Sequence, residues 1–249
     1  MEIDNLDHEI KLAIKAAKSS GQLLVDSKKE LNNEISTDLR DTKLKADVAS
    51  ENLIKEFLSK NSSFPILAEE SGKSDDDLGD IYWVVDPLDG TANYNRDIPL
   101  CCVSIGLVNK MKPLAGIIYD FNNRDLYVGN NQKKIAILNN KKINVSSIDK
   151  KQNGVLITGL PHNTDYSDEA LKNMIEDMQS WKKLRMIGSA AMASCYIACG
   201  KGDLYKENGV YIWDVIAGAA IIESAGGMAK IFNIQDNYQV DVIFSNSKI

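Results

Sequence analysis

The chain has 249 residues, a formal net charge of −6, 44% hydrophobic residues and 26% charged residues. This length allows one large domain, and the composition is typical of an ordinary soluble globular protein. The acidic balance argues against a nucleic acid polymer as the main partner, and no apolar run reaches the roughly 18 residues of a membrane span.

Helical and extended patterns follow each other along the first half of the chain. Apolar residues at helical spacing predict a helix over residues 6–29, and the charged stretch 30–45 predicts a loop or an irregular hairpin. Asp47 precedes a second helical pattern and is suited to cap it. The extended segments predicted after this helix are 64–68, 81–85, 103–108, 115–119, 125–128 and 134–138.

The second half mixes both kinds of element as well. The predicted segments are a strand at 155–159, a helix at 167–181, a short strand entering a small-residue turn and a helix at 185–191, a strand from 202, and a helix at 214–225. This mixture predicts an α+β or layered α/β class. We expect a single domain over residues 1–249, in which about 1–140 carries the main acidic motifs and about 141–249 completes the site.

The N-terminus and the cysteines indicate the compartment. The first residues are acidic and polar, without the basic and apolar segments of a signal peptide. The four cysteines form no Cys-x-x-Cys pattern, and two histidines are too few for a common zinc cluster. We therefore expect a cytoplasmic protein with reduced thiols and no membrane partner.

Acidic residues recur where an apolar strand ends or a helix begins. They are Glu69, Asp86, Asp89 and Asp214, with Asp47 in a weaker version of the same position. An acidic turn is the simple alternative for Asp86 and Asp89, because Asp, Pro and Gly are ordinary turn residues. If the strand ends meet, however, the carboxylates repel one another, and a divalent cation relieves that repulsion. Oxygen ligands without His or Cys favour Mg²⁺ or Mn²⁺ over Zn²⁺.

Two such ions suit the hydrolysis of a phosphate ester, since one activates water and the other neutralises the leaving oxygen. The backbone N–H groups of Gly90 and Thr91 can hold phosphate oxygens, and the small residues 188–191 form a second candidate anion-holding element. Other phosphatase chemistries fit less well. The chain has no Asp-x-Asp at this strand end, no Cys-x5-Arg loop and no Gly-x4-Gly-Lys phosphate loop.

These residues closely resemble the inositol monophosphatase family of metal-dependent, lithium-sensitive phosphatases. The segment 86–94, DPLDGTANY, is similar to the first family signature, and WDVIAG at 213–218 followed by ESAGG at 223–227 is similar to the second. The acidic strand end LAEES at 67–71 and the upstream Asp47 also match. The resemblance runs in order over nearly the whole chain.

The resemblance implies a layered αβαβα sugar-phosphatase fold, a homodimer and inhibition by Li⁺. It implies two or three Mg²⁺ ions held by Glu69, Asp86, the Leu88 carbonyl, Asp89, Thr91 and Asp214, with the weaker third ion near Glu69. It implies a catalytic set of Asp47, Thr91 and Glu69, in which Asp47 and Thr91 orient the attacking water. The substrate-binding residues that it implies are Gly90, Thr91, Ser189, Ala190, Glu207 and Asp214.

The substrate is less constrained than the chemistry. Glu207 stands where the inositol-cleaving members carry a glutamate that contacts sugar hydroxyls, and residues 188–191 resemble their Gly-Thr-Ala-Ala. Leu88 instead makes the chain more similar to the relatives that cleave 3'-phosphoadenosine 5'-phosphate. Asp97 stands where the family signature usually has glycine. The leading interpretation is hydrolysis of inositol monophosphate or a related sugar or polyol phosphate, a small phosphorylated metabolite. A bisphosphate nucleotidase and a non-catalytic metal-binding regulator stay open as alternatives.

Overall fold

The computed structural model of the protein describes residues 5–37, 42–160 and 167–249. Its helices are α1 (Leu6–Asp26), α2 (Lys28–Leu31), α3 (Lys45–Asn61), α4 (Thr91–Asn95), α5 (Asp168–Gln179), α6 (Ala190–Ala198) and α7 (Ile212–Ser224). Its first strands are β1 (Glu34–Thr37), β2 (Thr42–Leu44), β3 (Ile66–Ala68), β4 (Gly72–Lys73), β5 (Ile81–Asp89), β6 (Cys102–Asn109), β7 (Lys112–Asp120) and β8 (Asp125–Asn130). The later strands are β9 (Ile135–Leu138), β10 (Lys141–Lys142), β11 (Val155–Thr158), β12 (Lys183–Met186), β13 (Leu204–Tyr211), β14 (Met228–Phe232) and β15 (Gln239–Ser245).

Two large sheets organise these elements. The first has eight strands in the order β10-β9-β8-β7-β6-β5-β3-β4 and is antiparallel except between β3 and β5. The second has five strands in the order β12-β11-β13-β15-β14, with β11 parallel to both of its neighbours. Strands β1 and β2 form a separate hairpin.

Helices and sheets alternate in layers. Helices α1 and α3 pack on each other and on one face of the eight-stranded sheet, against β5, β6 and β7. Helices α6 and α7 lie on its other face, where they also contact β13, β14 or β15 of the second sheet. Each face of the large sheet therefore has its own apolar core. This is the layered αβαβα arrangement that the family resemblance implies.

Glycines on the large sheet let α7 approach closely. A Cβ at Gly116 of β7 would fall far inside contact distance of the Ala217 carbonyl oxygen, and a Cβ at Gly129 of β8 would lie 2.6 Å from the Cα of Ile221. The helix backbone thus packs directly on the strand backbones, where any side chain would push it away. Helix α7 begins with Asp214 in its first turn, so its placement on the sheet also fixes that carboxylate.

The predicted elements are found, with differences at their boundaries. The first helix divides at Ser27 into α1 and α2. Strand β5 does not end before the two aspartates but continues through Asp89, because this segment still pairs with β6. Asp47 does not precede α3 but is its third residue, because Lys45 and Ala46 already have helical geometry. The stretch 30–45, predicted as a loop or an irregular hairpin, contains the antiparallel pair β1 and β2 with a register shift, and its residues 38–41 lie outside the described part of the chain.

The four cysteines form no disulfide, and three of them are buried. Among the described residues, no helix is long and apolar enough to cross a bilayer.

We expect Gly116→Ala to lower the free energy of unfolding by about 3 kcal/mol, because the added methyl meets helix backbone that cannot yield. Gly154→Ala is the matched control, since its Cβ would meet the Trp181 side chain at 3.1 Å, and we expect it to lower that free energy by under ~1 kcal/mol. Urea unfolding of both variants measures the difference. Equal losses would contradict the close packing of α7.

Candidate active site

Two parallel strands deliver three carboxylates to one edge of the large sheet. Glu69 directly follows β3, and its backbone N–H donates to the Val85 carbonyl of β5 over 3.1 Å. Asp86 and Asp89 belong to β5 itself and are only 2% and 8% exposed. Carboxylates buried this deeply must be compensated by cations or by hydrogen bonds.

A bulge in β5 brings the two aspartates to the same side of the sheet. Asp86 pairs with Ser104 and Asp89 pairs with Cys102, so β5 has one residue more than β6 between these pairs. In a regular strand, residues three apart point to opposite faces, and the extra residue corrects this. The Leu88 N–H, which lies in this bulge, donates to Asp86 Oδ1 over 2.9 Å.

Two helices begin at the same edge, and each places an aspartate in its first turn. Asp47 Oδ2 accepts from the Leu44 N–H at the start of α3 over 2.7 Å, and Asp214 Oδ2 accepts from the Tyr211 N–H at the start of α7 over 2.8 Å. The positive end of a helix stabilises such carboxylates. The sequence pattern predicted the position of both acids at helix starts.

Thr91 links the two acidic elements. Its Oγ1 lies 2.7 Å from Asp47 Oδ1 and 2.9 Å from the Leu88 carbonyl oxygen. Gly90 precedes it with a φ of 87° and would clash there with the Leu100 carbonyl if it carried a Cβ, at 2.8 Å. The turn therefore needs glycine to set Thr91 against Asp47.

The pKa shifts indicate that the negative charge at this edge is only partly compensated by the surrounding protein. Burial raises the pKa of Glu69, Asp86 and Asp89, and neighbouring carboxylates raise it further for Glu69 and Asp86. Burial also raises the pKa of Asp47 to about 6, although the Thr91 hydroxyl and the Leu44 N–H counteract it. When the ionised forms of several neighbouring acids are all disfavoured, a bound positive charge stabilises them strongly.

An ammonium group close enough to interact with Asp47 is paired with a different acid. Lys43 of β2 forms an ion pair with Glu70, and this contact raises the pKa of Lys43. The N–H of Glu70 in turn donates to Glu51 Oε2 of α3 over 2.8 Å. Sequence analysis did not single out Lys43, because only the hairpin geometry brings it near this edge.

The donor set fits a hard divalent cation by its chemistry. Glu69, Asp86, Asp89 and Asp214 offer carboxylate oxygens, and the Leu88 carbonyl adds another oxygen, which is the preference of Mg²⁺. The Glu69 carboxylate lies close enough to Asp86 to raise the pKa of Asp86 by repulsion, and a cation bound between them would relieve that repulsion. Within residues 5–37, 42–160 and 167–249, no three acidic, His or Cys side chains form a closed ligand group in this conformation.

A cavity of about 380 Å³ adjoins the acidic edge. Its wall includes five of the acids and small residues predicted to serve the site, namely Asp89, Ser189, Ala190, Glu207 and Asp214. Gly90 and Thr91 are not part of that wall. A cavity of this size admits a small metabolite rather than a polymer.

The small residues at the start of α6 hold Asp89. Its carboxylate accepts from the Ser189 hydroxyl, from the Ala191 N–H over 2.9 Å and from the Ala190 N–H over 3.3 Å. The sequence suggested this segment as an anion-holding element, and the anion that it holds in the structure is a carboxylate of the chain itself. Asp89 thereby joins β5 to α6, about a hundred residues away along the chain.

Tyr205 is a residue of the cavity that sequence analysis missed. Its hydroxyl donates to Glu207 Oε2 over 3.0 Å, and Gly159 leaves the space that the Glu207 carboxylate occupies. Burial raises the pKa of Glu207 to about 7, and the Tyr205 hydroxyl opposes this. The sequence could have indicated Tyr205, because it lies two residues before Glu207 and residues two apart on a strand face the same side.

Helices lie between and outside the two sheets, and a carboxylate-rich edge adjoins a small cavity. These features define the class of layered sugar-phosphatase folds. Comparison with known proteins identifies the group within that class. The sequence model of the inositol monophosphatase family matches residues 5–246, and the chain belongs to this family. The family is generally metal-dependent and acts on small phosphorylated substrates.

Individual relatives are similar in sequence or structure over nearly the whole chain. The Nus factor SuhB of Xylella fastidiosa is 34% identical over 236 residues, covering 93% of this chain and 85% of its own. Inositol monophosphatase 1 of Solanum lycopersicum is 33% identical, covering 90% and 84%. The solved inositol monophosphatase of Anabaena superposes with a TM-score of 0.84 at 31% identity, covering 98% and 93%.

We expect the pH dependence of stability to report on Glu207. A carboxyl whose folded-state pKa of about 7 exceeds its ordinary value of 4.5 binds more protons folded than unfolded, so stability falls as the pH rises from about 4.5 to about 7. Glu207→Gln removes this loss and should gain up to ~3 kcal/mol relative to the natural chain between about pH 5 and about pH 8. Urea unfolding at both pH values measures the gain.

Tyr205→Phe provides the second arm of this experiment. It removes the hydroxyl that favours the ionised carboxylate, so the pH-dependent loss of stability should extend to higher pH. A constant difference between Glu207→Gln and the natural chain at all pH values would contradict the assignment.

Proposed function

We propose that the protein is a Mg²⁺-dependent phosphatase that hydrolyses a small phosphate monoester, with inositol monophosphate or a related polyol or sugar phosphate as its substrate. The observation that carries the proposal is the convergence of Glu69, Asp86, Asp89 and Asp214 at one sheet edge, with the Asp47–Thr91 pair beside them. Membership in the inositol monophosphatase family supports the same chemistry.

In this proposal the acidic edge holds the metal. Glu69, Asp86 and the Leu88 carbonyl would bind one Mg²⁺, and Asp86, Asp89 and Asp214 would bind a second. Bound Mg²⁺ supplies positive charge for the phosphate oxygens and lowers the pKa of water. A third, weaker ion near Glu69, replacement by Mn²⁺ and inhibition by Li⁺ are further expectations that follow from the family resemblance.

The side chains around the metal would prepare the attacking water. Asp47 accepts the Thr91 hydroxyl proton when it is ionised, and a water that donates to Thr91 or to Glu69 is then oriented and made more basic. Thr91 could give its hydroxyl proton to Asp47 while its oxygen accepts one from the water, so the proton lost by the water would reach Asp47 through Thr91. The backbone N–H groups of Gly90 and Thr91 would donate to phosphate oxygens.

The cavity supports a hydroxyl-bearing leaving group. Glu207 and Asp214 lie in its wall together with Ser189 and Ala190, and carboxylates recognise adjacent hydroxyls by accepting their hydrogen bonds. We expect the enzyme to be a cytoplasmic homodimer without a membrane or nucleic acid polymer as partner. The division into one domain with halves near residues 1–140 and 141–249 also remains a prediction.

Two alternatives have support of their own. A nucleotidase acting on 3'-phosphoadenosine 5'-phosphate is favoured by Leu88 and by apolar residues on the cavity wall, Leu160 and Met186, which suit a base. A non-catalytic regulator is favoured by the relatives named Nus factor SuhB. The regulator would bind metal without turnover.

Phosphate release from a substrate panel tests the proposal. With Mg²⁺ present, inositol 1-phosphate should release phosphate faster than 3'-phosphoadenosine 5'-phosphate, and a chelator or Li⁺ should suppress the reaction, because the metal supplies the charge on which the chemistry depends. The opposite order of substrates would favour the nucleotidase. Full activity in chelator would exclude metal-dependent hydrolysis, and metal binding with no turnover of any phosphate ester would favour the regulator.

A further inference from the structure

Helix α3 contacts the metal-binding motif at two points on the same face. Asp47 accepts from Thr91, and Ser50, one turn later, donates its hydroxyl to the Pro87 carbonyl over 2.7 Å. Residues three apart on a helix are neighbours on its surface. The first contact belongs to the proposed chemistry, whereas the second has no part in it so far.

A second buried serine stands behind the first. Ser20 of α1 and Ser50 of α3 are both fully buried, and their hydroxyl oxygens are 2.5 Å apart. Because Ser50 gives its only proton to Pro87, Ser20 donates to Ser50. A buried hydroxyl is costly unless it is hydrogen-bonded, and here the chain from Ser20 through Ser50 to the Pro87 carbonyl satisfies both hydroxyls.

The peptide group between Pro87 and Leu88 joins this pair to Asp86. In a trans peptide the C=O and N–H point in opposite directions. Here the Pro87 carbonyl accepts from Ser50 on one side, and the Leu88 N–H donates to Asp86 Oδ1 over 2.9 Å on the other. Both groups lie in the bulge of β5, where the register with β6 shifts, and each is hydrogen-bonded to one of these side chains. Their orientation therefore depends on Ser50 and Asp86.

We propose that Ser50, supported by Ser20, is a positioning residue for the metal site. It locks the Pro87–Leu88 peptide plane, and that plane aims the Asp86 carboxylate toward the shared edge. The inference rests on the proposed function, because it assumes that Asp86 binds the divalent cation. Beyond the proposed function, the inference is that the Ser50 and Ser20 hydroxyls, which contact neither metal nor substrate, set part of the affinity for the cation.

The affinity for Mn²⁺ alone, followed by the paramagnetic resonance signal of the free ion, tests this inference without any assay of turnover. Ser50→Ala leaves the Pro87 carbonyl without its donor and should weaken Mn²⁺ binding about tenfold, which is typical of residues that orient metal ligands. Ser20→Ala removes only the hydrogen bond that Ser20 donates to Ser50 and should weaken Mn²⁺ binding less. If Ser50→Ala does not fold, Ser50→Cys replaces the hydroxyl by a weak donor of similar volume and should change the affinity in the same direction.

Ser224→Ala is the matched control. Ser224 is a buried helical serine that donates to Asn131 Oδ1 over 2.6 Å on another part of the fold. Its replacement should lower the melting temperature but leave Mn²⁺ affinity unchanged, which separates positioning from general stability. Unchanged affinity in Ser50→Ala, or an equal loss in Ser224→Ala, would overturn the inference. If the natural chain binds no Mn²⁺, the proposed function itself fails and this inference fails with it.

Discussion

Repulsion among carboxylates packed at one edge of the large sheet is the constraint on which the rest of the structure depends. Three helices, α3, α6 and α7, begin at this edge, and the first turn of each is bound to an aspartate. Their N–H groups and positive ends lower the energy of the ionised forms. Burial nevertheless keeps the pKa of Asp47, Asp86 and Asp89 above the usual range. The helices therefore offset the repulsion only in part, and in the proposed function a bound cation relieves the remainder.

The same edge joins the two sheets. Asp89 of the first sheet holds the start of α6, and Asn93 donates from its side chain to the Leu100 carbonyl over 2.8 Å and to the Ile187 carbonyl over 2.9 Å. Helix α7 carries Asp214 to the site while it packs on the glycines of β7 and β8. The site is therefore complete only when both halves of the chain are folded against each other.

Sequence patterns predicted the parts of the site that depend on local order. Apolar runs followed by acids placed Glu69 after a strand and Asp214 at a helix start, because strand and helix periodicities are local properties. The bulge between Asp86 and Asp89 could not be predicted, because it arises from pairing with β6. The contacts of Ser50 with Pro87 and of Asp89 with α6 span 37 and about 100 residues, and only the tertiary fold brings them together.

Thermal unfolding with and without Mg²⁺ tests the central claim most directly. A ligand that binds only the folded state raises the melting temperature with its concentration, so Mg²⁺ should stabilise the natural chain and should stabilise Asp89→Asn much less. Asp120→Asn is the control, because Asp120 is a buried aspartate that accepts from the N–H groups of Asn122 and Asn123 in a turn after β7. It should lose stability but keep its response to Mg²⁺. A natural chain whose melting temperature does not change with Mg²⁺ would contradict the account.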